Sequence, residues 1–206
     1  MAQNTSNAVM ASRVEPNDSL DYFPTPAWAT RALCERLLEY GLTLADQHVL
    51  EPACGEGHMA RPLGEYFGRV TASDVHDYGY GAVEDYLFAP AQIVDWTITN
   101  PPFRLASEFI QRGTAYSRGG VAMLVRTSFL EGGKRHRELF SPNPPALILQ
   151  FCERVPMFKG RIDRAGSTAT SYCWMVWRPA RGLTSFEWIA PCRKRLERDS
   201  DYPEAA

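Results

Sequence analysis

Residues 48 to 57 read HVLEPACGEG, a short apolar strand that runs without a spacer into a turn carrying Gly55 and Gly57. A strand feeding such a turn lets backbone approach a ligand closely, because glycine has no Cβ in the way. Helical patterns lie on both sides of it. Upstream, PAWATRALCERLLEY sets Ala29, Leu33, Leu37, Leu38 and Tyr40 at helical spacing behind a Thr25-Pro26 start, and Gly41 ends the run. Downstream, a helix is predicted over 58 to 67. The alternation then continues with the strand RVTASD, a short helix, a strand around WTITN, a helix over 104 to 117, the strand GVAMLVR, a helix around 131 to 140 and the strand ALILQF. Two late β-rich stretches, TSYCWMVWR and TSFEWIA, flank the turn residues Pro179 to Gly182. The pattern predicts an α/β fold: a mostly parallel seven-stranded sheet, helices on both faces, and an antiparallel terminal hairpin.

The 206 residues suit one such domain. Residues 1–20 are polar and without periodicity and read as a flexible tail, 21–190 as the folded domain, and 191–206 as a solvated C-terminal tail. Hydrophobic residues make up 45% and charged residues 22%, the balance of a globular chain. There is no apolar run of about 18 residues and no secretory start, so the expectation is a cytoplasmic protein without a membrane partner. Five scattered cysteines form no CxxC pair; they read as reduced, partly buried thiols acting as small hydrophobes, and no metal is expected. The net charge of -2 leaves a nucleic-acid partner open, since phosphate is attracted by a local basic face rather than by the sum. Basic residues do cluster, at Lys134, Arg135 and Arg137, at Lys159, Arg161 and Arg164, and from Arg193 to Arg198.

The turn is neither GxGxxG nor a lysine-bearing phosphate loop, which favours a ligand lacking phosphates. Glu51 at the strand end suits a cationic group. Asp74, at the end of the next predicted strand, stands where a carboxylate can accept both hydroxyls of a ribose. Asp85 is placed to accept from an adenine amino group, with Tyr86 or Leu87 against the ring. Either acid alone reads as a helix cap. Together with the glycine turn they point to a nucleoside.

Asn100-Pro101-Pro102-Phe103 follows the strand DWTIT. Two prolines stiffen the chain into an extended turn, so the Asn100 amide and the Pro101 carbonyl are held in a fixed relation. An amine conjugated to a ring is a poor nucleophile. Two acceptors aimed at its hydrogens pull it towards a pyramidal form and expose a lone pair, while Phe103 offers a face on which a base can stack.

LEPACGEG, SDVHD, VEDYL and TITNPPF, in that order, resemble the glycine-rich, ribose-binding, adenine-contacting and catalytic motifs of class I S-adenosylmethionine-dependent methyltransferases. DYFPTPAWAT resembles the Thr-Pro segment that precedes the glycine-rich motif in gamma-type DNA adenine methyltransferases. The resemblance covers residues 21 to about 180 and is most similar to the compact phage or prophage form. It implies a Rossmann-like fold, S-adenosylmethionine as cofactor and transfer of methyl to a planar amine. Tyr22, Phe23 and Thr25 would line the methionine end, Glu51, Ala53, Gly55 and Gly57 the centre, Asp74 the ribose, and Asp85 and Tyr86 the adenine. Asn100 and Pro101 would accept from the target amine, with Pro102 stiffening the corner and Phe103 stacking on the base.

The favoured target is N6 of adenine in DNA. Arg126, Phe158, Lys159, Arg161 and Arg164 are the candidate substrate contacts, the cations for phosphate and Phe158 for a base. The alternatives are an RNA adenine or guanine methyltransferase, a protein glutamine methyltransferase, and, from a different class, a catalytically silent cofactor-binding subunit. Gamma-type enzymes usually carry a target-recognition domain after the catalytic one, and little sequence follows residue 190 here. The recognition sequence, the strandedness of the substrate and the oligomeric state are left open.

Overall fold

A computed structural model describes residues 21–179 and 182–202. The predicted N-terminal tail lies outside the described residues. The elements are α1 (Ala27–Glu39), β1 (His48–Glu51), α2 (Ala60–Leu63), β2 (Arg69–Asp74), β3 (Ala82–Val83), β4 (Val94–Thr99), α3 (Ala106–Tyr116), β5 (Ser117–Arg126), α4 (Gly133–Arg135), β6 (Leu147–Phe151), β7 (Tyr172–Trp177), β8 (Ser185–Ile189) and α5 (Arg193–Leu196).

One eight-stranded sheet runs in the order β3-β2-β1-β4-β5-β7-β6-β8. The eighth strand is β3, two residues long, where the sequence predicted a short helix. The antiparallel element is present with different partners. β7 lies antiparallel between β5 and β6, and β8 pairs parallel with β6, so β7 and β8 are not a hairpin. The short Pro179–Gly182 link hides this, because an apolar pattern gives strands but not their neighbours.

The central strands are buried on both faces, which explains their unbroken apolar runs. Along β5, Ala122 and Leu124 join the cluster under α1 and α2, and Val121, Met123 and Val125 join the one under α3. The first cluster holds Trp28, Trp96 and Trp174, and the Trp174 indole donates to the Ala29 carbonyl at 3.0 Å. In α1, Ala29, Leu33 and Leu37 face the sheet as the spacing predicts, whereas Leu38 and Tyr40 are 44% exposed. Regular helix at 60–63 is shorter than the predicted 58–67, though backbone bonds such as Phe67 N–H to the Leu63 carbonyl carry helical turns onward. The predicted helix near 131–140 is a single turn, α4, followed by a π-helical turn, His136–Phe140. At the far edge, β8 leaves Phe186 and Trp188 exposed on one side, with ring centroids 5.2 Å apart.

The chain end departs from its reading as a solvated tail. Leu196 is buried against the α1 side of the core, and Arg31 of α1, 3% exposed, clasps the segment. The Arg31 guanidinium donates to both oxygens of Asp201 at 2.7 and 2.8 Å, to both oxygens of Glu65 at 2.8 Å, and to the Leu196 carbonyl at 2.7 Å. Arg195 pairs with Glu35 and Arg198 with Glu65. The basic run reads as solvated because its acidic partners lie far away in sequence.

Removing one member of a buried ion pair leaves the others desolvated and uncompensated, at a cost of about 3–5 kcal/mol. Arg31→Ala is therefore expected to lower the unfolding free energy by about 3 kcal/mol, read as a fall in the urea midpoint. Burial opposes ionisation of Asp201, but hydrogen bonds from Arg31 and the Arg198 amide outweigh it and hold the carboxyl below the usual range. The Asp201 contribution is therefore complete above the ordinary aspartate value of about 3.9 and is lost as pH falls through the lower folded value. The stability gap between wild type and Asp201→Asn should close over that window.

Candidate active site

In the sheet order the chain steps one way from β1 to β2 and the other way to β4, which opens a crevice at the carboxyl ends of β1 and β4. A cavity of about 560 Å³ occupies it, within the range of roughly 300–1,000 Å³ usual for small-molecule sites. Each strand end delivers one polar side chain: Glu51 from β1, Asp74 from β2 and Asn100 from just beyond β4. The segment leading into α1 adds Tyr22, Phe23 and Thr25, and the turn after β3 adds Asp85 and Tyr86. Ala53, Leu87 and Pro102 complete the set of predicted residues that line the cavity.

Three buried oxygens in this lining have no hydrogen-bond partner among the described residues: Glu51 Oε2, Tyr22 Oη and Asn100 Oδ1. A buried polar atom without a partner is costly, so three along one cavity mark it as a polar ligand's site. Burial pushes the Glu51 carboxyl well above the ordinary range and the nearby Asp74 charge adds to this, against a hydrogen bond from the Ala60 amide. The same surroundings, burial foremost, push the Cys54 thiol up to about 12, which leaves it an inert apolar wall at neutral pH. Burial lowers the His58 pKa despite Glu56 at 3.3 Å, so His58 stays neutral there.

Asp74 is 9% exposed and already employed, accepting from Gly55 N–H at 2.9 Å and His76 N–H at 3.1 Å. It braces the glycine turn as well as facing the cavity. Asp85 accepts from Leu87 N–H at 3.0 Å and lies at the rim. Gly55 and Gly57 do not line the cavity. Their φ values are 49° and 82°, and a Cβ there would sit 2.3 Å from the Tyr22 ring and 2.7 Å from the Tyr80 ring. A side chain at either position would meet a tyrosine ring, so the turn needs glycine.

The catalytic corner is held from outside. Asn100 Nδ2 donates to the Phe23 carbonyl at 2.9 Å, and Phe103 N–H donates to the Asp21 carboxylate at 2.6 Å. Pro101 and Phe103, on either side of Pro102, are not among the residues that line the cavity. The Phe103 ring packs against Phe23 at 5.1 Å, and the Arg126 guanidinium lies over it at 3.9 Å. Arg161 lies over Phe158 at 5.1 Å and pairs with Asp163 at 3.5 Å. Lys159 lies between them in sequence, in a loop tied to the site by Gly160 N–H donating to the Tyr22 carbonyl at 2.9 Å. Arg164 instead turns to the C-terminal segment, where it meets Asp199 at 2.7 Å and Glu197 at 4.0 Å.

Sequence reasoning missed the apolar walls. Val75, Phe88 and Leu105 are 54%, 86% and 41% exposed, yet all line the cavity. Their signal was an apolar residue directly after an acid or a turn, which looks unremarkable until the fold places it. Among the described residues, no group of three or more His, Cys, Asp or Glu is placed to hold a metal, and no helix is long and apolar enough to cross a membrane. Four of the five cysteines are buried as read, and Cys152 is exposed.

No protein-family model and no curated protein matches the chain. Solved structures do. A protein from Pyrococcus horikoshii, provisionally assigned as an RNA methyltransferase, is 14% identical, with 80% of this chain and 90% of that one covered and a TM-score of 0.61. A provisional class I S-adenosylmethionine-dependent methyltransferase from Listeria monocytogenes is 15% identical over 84% and 67%, with a TM-score of 0.58. The modification subunit of a provisional type I restriction enzyme from Vibrio vulnificus YJ016 is 16% identical, over 89% of this chain and 50% of that subunit, with a TM-score of 0.58. The chain has the class I methyltransferase fold and spans half the length of the Vibrio subunit.

A carboxyl whose folded pKa is raised favours the protonated protein, so ionising Glu51 costs stability once pH climbs above the ordinary glutamate value of about 4.3. Glu51→Gln is therefore expected to leave the ligand-free protein unchanged below that pH and to stabilise it at neutral pH. Urea midpoints across the pH range check this.

Proposed function

We propose that this chain transfers a methyl group from S-adenosylmethionine to the exocyclic N6 amine of adenine in DNA. The observation that carries the proposal is the state of Asn100. Its Oδ1 is a buried acceptor without a partner among the described residues, its amide nitrogen is committed to the Phe23 carbonyl and the Met157 sulfur, and it stands at a cavity whose other walls suit a nucleoside with a cationic side chain.

The residues present fit that cofactor, which when bound supplies a methyl on a sulfonium, an electrophile needing no further activation. Glu51 and Tyr22, with their unpartnered oxygens, would hold the cationic amino-acid end beside Thr25 and Ala53. Asp74 would take the ribose and Asp85 the adenine amino group, with Val75, Tyr86, Leu87 and Phe88 as apolar walls for the ring. Asn100 Oδ1 and the Pro101 carbonyl accept from the two hydrogens of the target amine, directing its lone pair towards the cavity. Once nitrogen carries the methyl it is acidic and releases its proton to water, so no side-chain base is needed.

Two cations laid on rings beside the corner, Arg126 on Phe103 and Arg161 on Phe158, suit a partner that brings both phosphate and base. The resemblance to gamma-type adenine enzymes and the likeness to a restriction-modification subunit favour DNA over RNA. The likeness to the Pyrococcus protein makes RNA the second reading. A silent cofactor-binding subunit is disfavoured by the intact Asn-Pro-Pro-Phe corner.

The test is transfer of labelled methyl to separate pools of DNA, RNA and protein, followed by digestion of the labelled polymer. Label in N6-methyladenine from DNA is expected; label confined to RNA or protein replaces the substrate, and failure to bind the cofactor by titration calorimetry ends the enzyme reading. Asn100→Ala should lower turnover by about 10²–10³-fold, the usual loss for removing an oriented transition-state partner, with cofactor affinity nearly unchanged. Asp85→Ala should do the reverse.

A further inference from the structure

Three consecutive residues at the start of the described chain each hold a different part of the site. The Asp21 carboxylate accepts from Phe103 N–H at 2.6 Å, the Tyr22 carbonyl from Gly160 N–H at 2.9 Å, and the Phe23 carbonyl from Asn100 Nδ2 at 2.9 Å. We infer that Asp21 to Phe23 form the positioning strut of the catalytic corner, and that the Phe23 carbonyl requires an amide rather than a carboxylate at position 100. This rests on the methyl-transfer reading and assigns roles beyond it.

A backbone carbonyl can only accept, so the NH₂ end of the Asn100 amide has to face Phe23. The flipped amide would set two oxygens against each other. The Phe23 bond, with the Met157 sulfur as a second acceptor for Nδ2 at 3.6 Å, thereby decides which atom of Asn100 remains free, and that atom is Oδ1, buried and without a partner among the described residues. A carboxylate in the same place would put a negative oxygen against the Phe23 carbonyl. Only its protonated form reproduces the native pattern, with the hydroxyl donating to Phe23 and the other oxygen left to accept.

Asp21 acts on the other side of the corner. Its bond to Phe103 N–H has the short length of a charge-assisted contact and fixes the residue that follows Pro102. Because Asp21 touches backbone, an asparagine there still offers an acceptor oxygen, whereas an alanine offers none.

The pH dependence of Asn100→Asp tests the first half. Asp21, Tyr22, Glu51, His58, Asp74, His76, Tyr78, Asp85 and Tyr86 face the cavity from other elements, and Arg126 lies over the Phe103 ring. These groups are common to wild type and variant, so turnover is read as the ratio of the two. The ratio should fall about tenfold per pH unit above the pKa of the introduced carboxyl. Carbon-13 NMR of that carboxyl, which needs no activity, should place it above the ordinary aspartate value of about 3.9. A ratio flat with pH, or a carboxyl titrating at or below the ordinary value, overturns the Phe23 assignment.

For the second half, Asp21→Ala should lower kcat by at least about tenfold, in keeping with the steep cost of small misplacements, while the calorimetric Kd for S-adenosylmethionine stays within about threefold. Asp21→Asn should restore kcat to within about threefold of wild type. Full turnover of Asp21→Ala, or an Asp21→Asn no better than it, overturns the strut. If the wild-type protein transfers no methyl to any pool, the methyl-transfer reading fails, and the carboxyl titration still decides the Phe23 contact.

Discussion

A sheet buried on both faces confines polar chemistry to the ends of its strands. β7 spends every side chain, and β4 and β5 half of theirs, on one of two apolar clusters. A functional polar group on such a strand has to sit at its last residue or just past it, and Glu51, Asp74 and Asn100 do. The point where the sheet order reverses then collects these ends into one crevice. The site follows from burial: the core occupies everything else.

Within the crevice, polar groups fall into two kinds. Asp74, Asp85 and Asp21 already accept hydrogen bonds from backbone amides and so shape the turns they sit in. Glu51 Oε2, Tyr22 Oη and Asn100 Oδ1 are buried without a hydrogen-bond partner among the described residues. The first group makes the cavity's form and the second its demand for a ligand. An acid such as Asp74 has a share in both, so its replacement would confuse loss of contact with loss of shape.

Much of this was legible in the sequence. The alternation of periods gave the α/β class, and the resemblance carried by LEPACGEG, SDVHD, VEDYL and TITNPPF implied that Glu51, Asp74, Asp85 and Asn100 share one site, and the structure brings them around one cavity. What escaped was what depends on neighbours in space. The β7–β8 stretches look like a hairpin because their link is short, but β6 lies between them. That Gly55 and Gly57 also make room for the rings of Tyr22 and Tyr80 is invisible in the motif itself. Arg164 looks free for phosphate until Asp199 folds back beside it. Asp21 carried no signal, since an acid in a polar stretch says nothing about an amide 82 positions away.

The distribution of indoles gives the molecule a built-in optical division of labour. Trp28, Trp96, Trp174 and Trp177 are sealed in the two clusters at 2% exposure or less, Trp188 stands 66% exposed on the edge strand, and none of the five lines the cavity, which is walled by tyrosine and phenylalanine instead. A soluble quencher such as iodide thus reaches one fluorophore in five, and a red shift of the remaining emission follows the opening of the core. Filling the crevice changes the surroundings of phenols and leaves indole light as a gauge of folding alone.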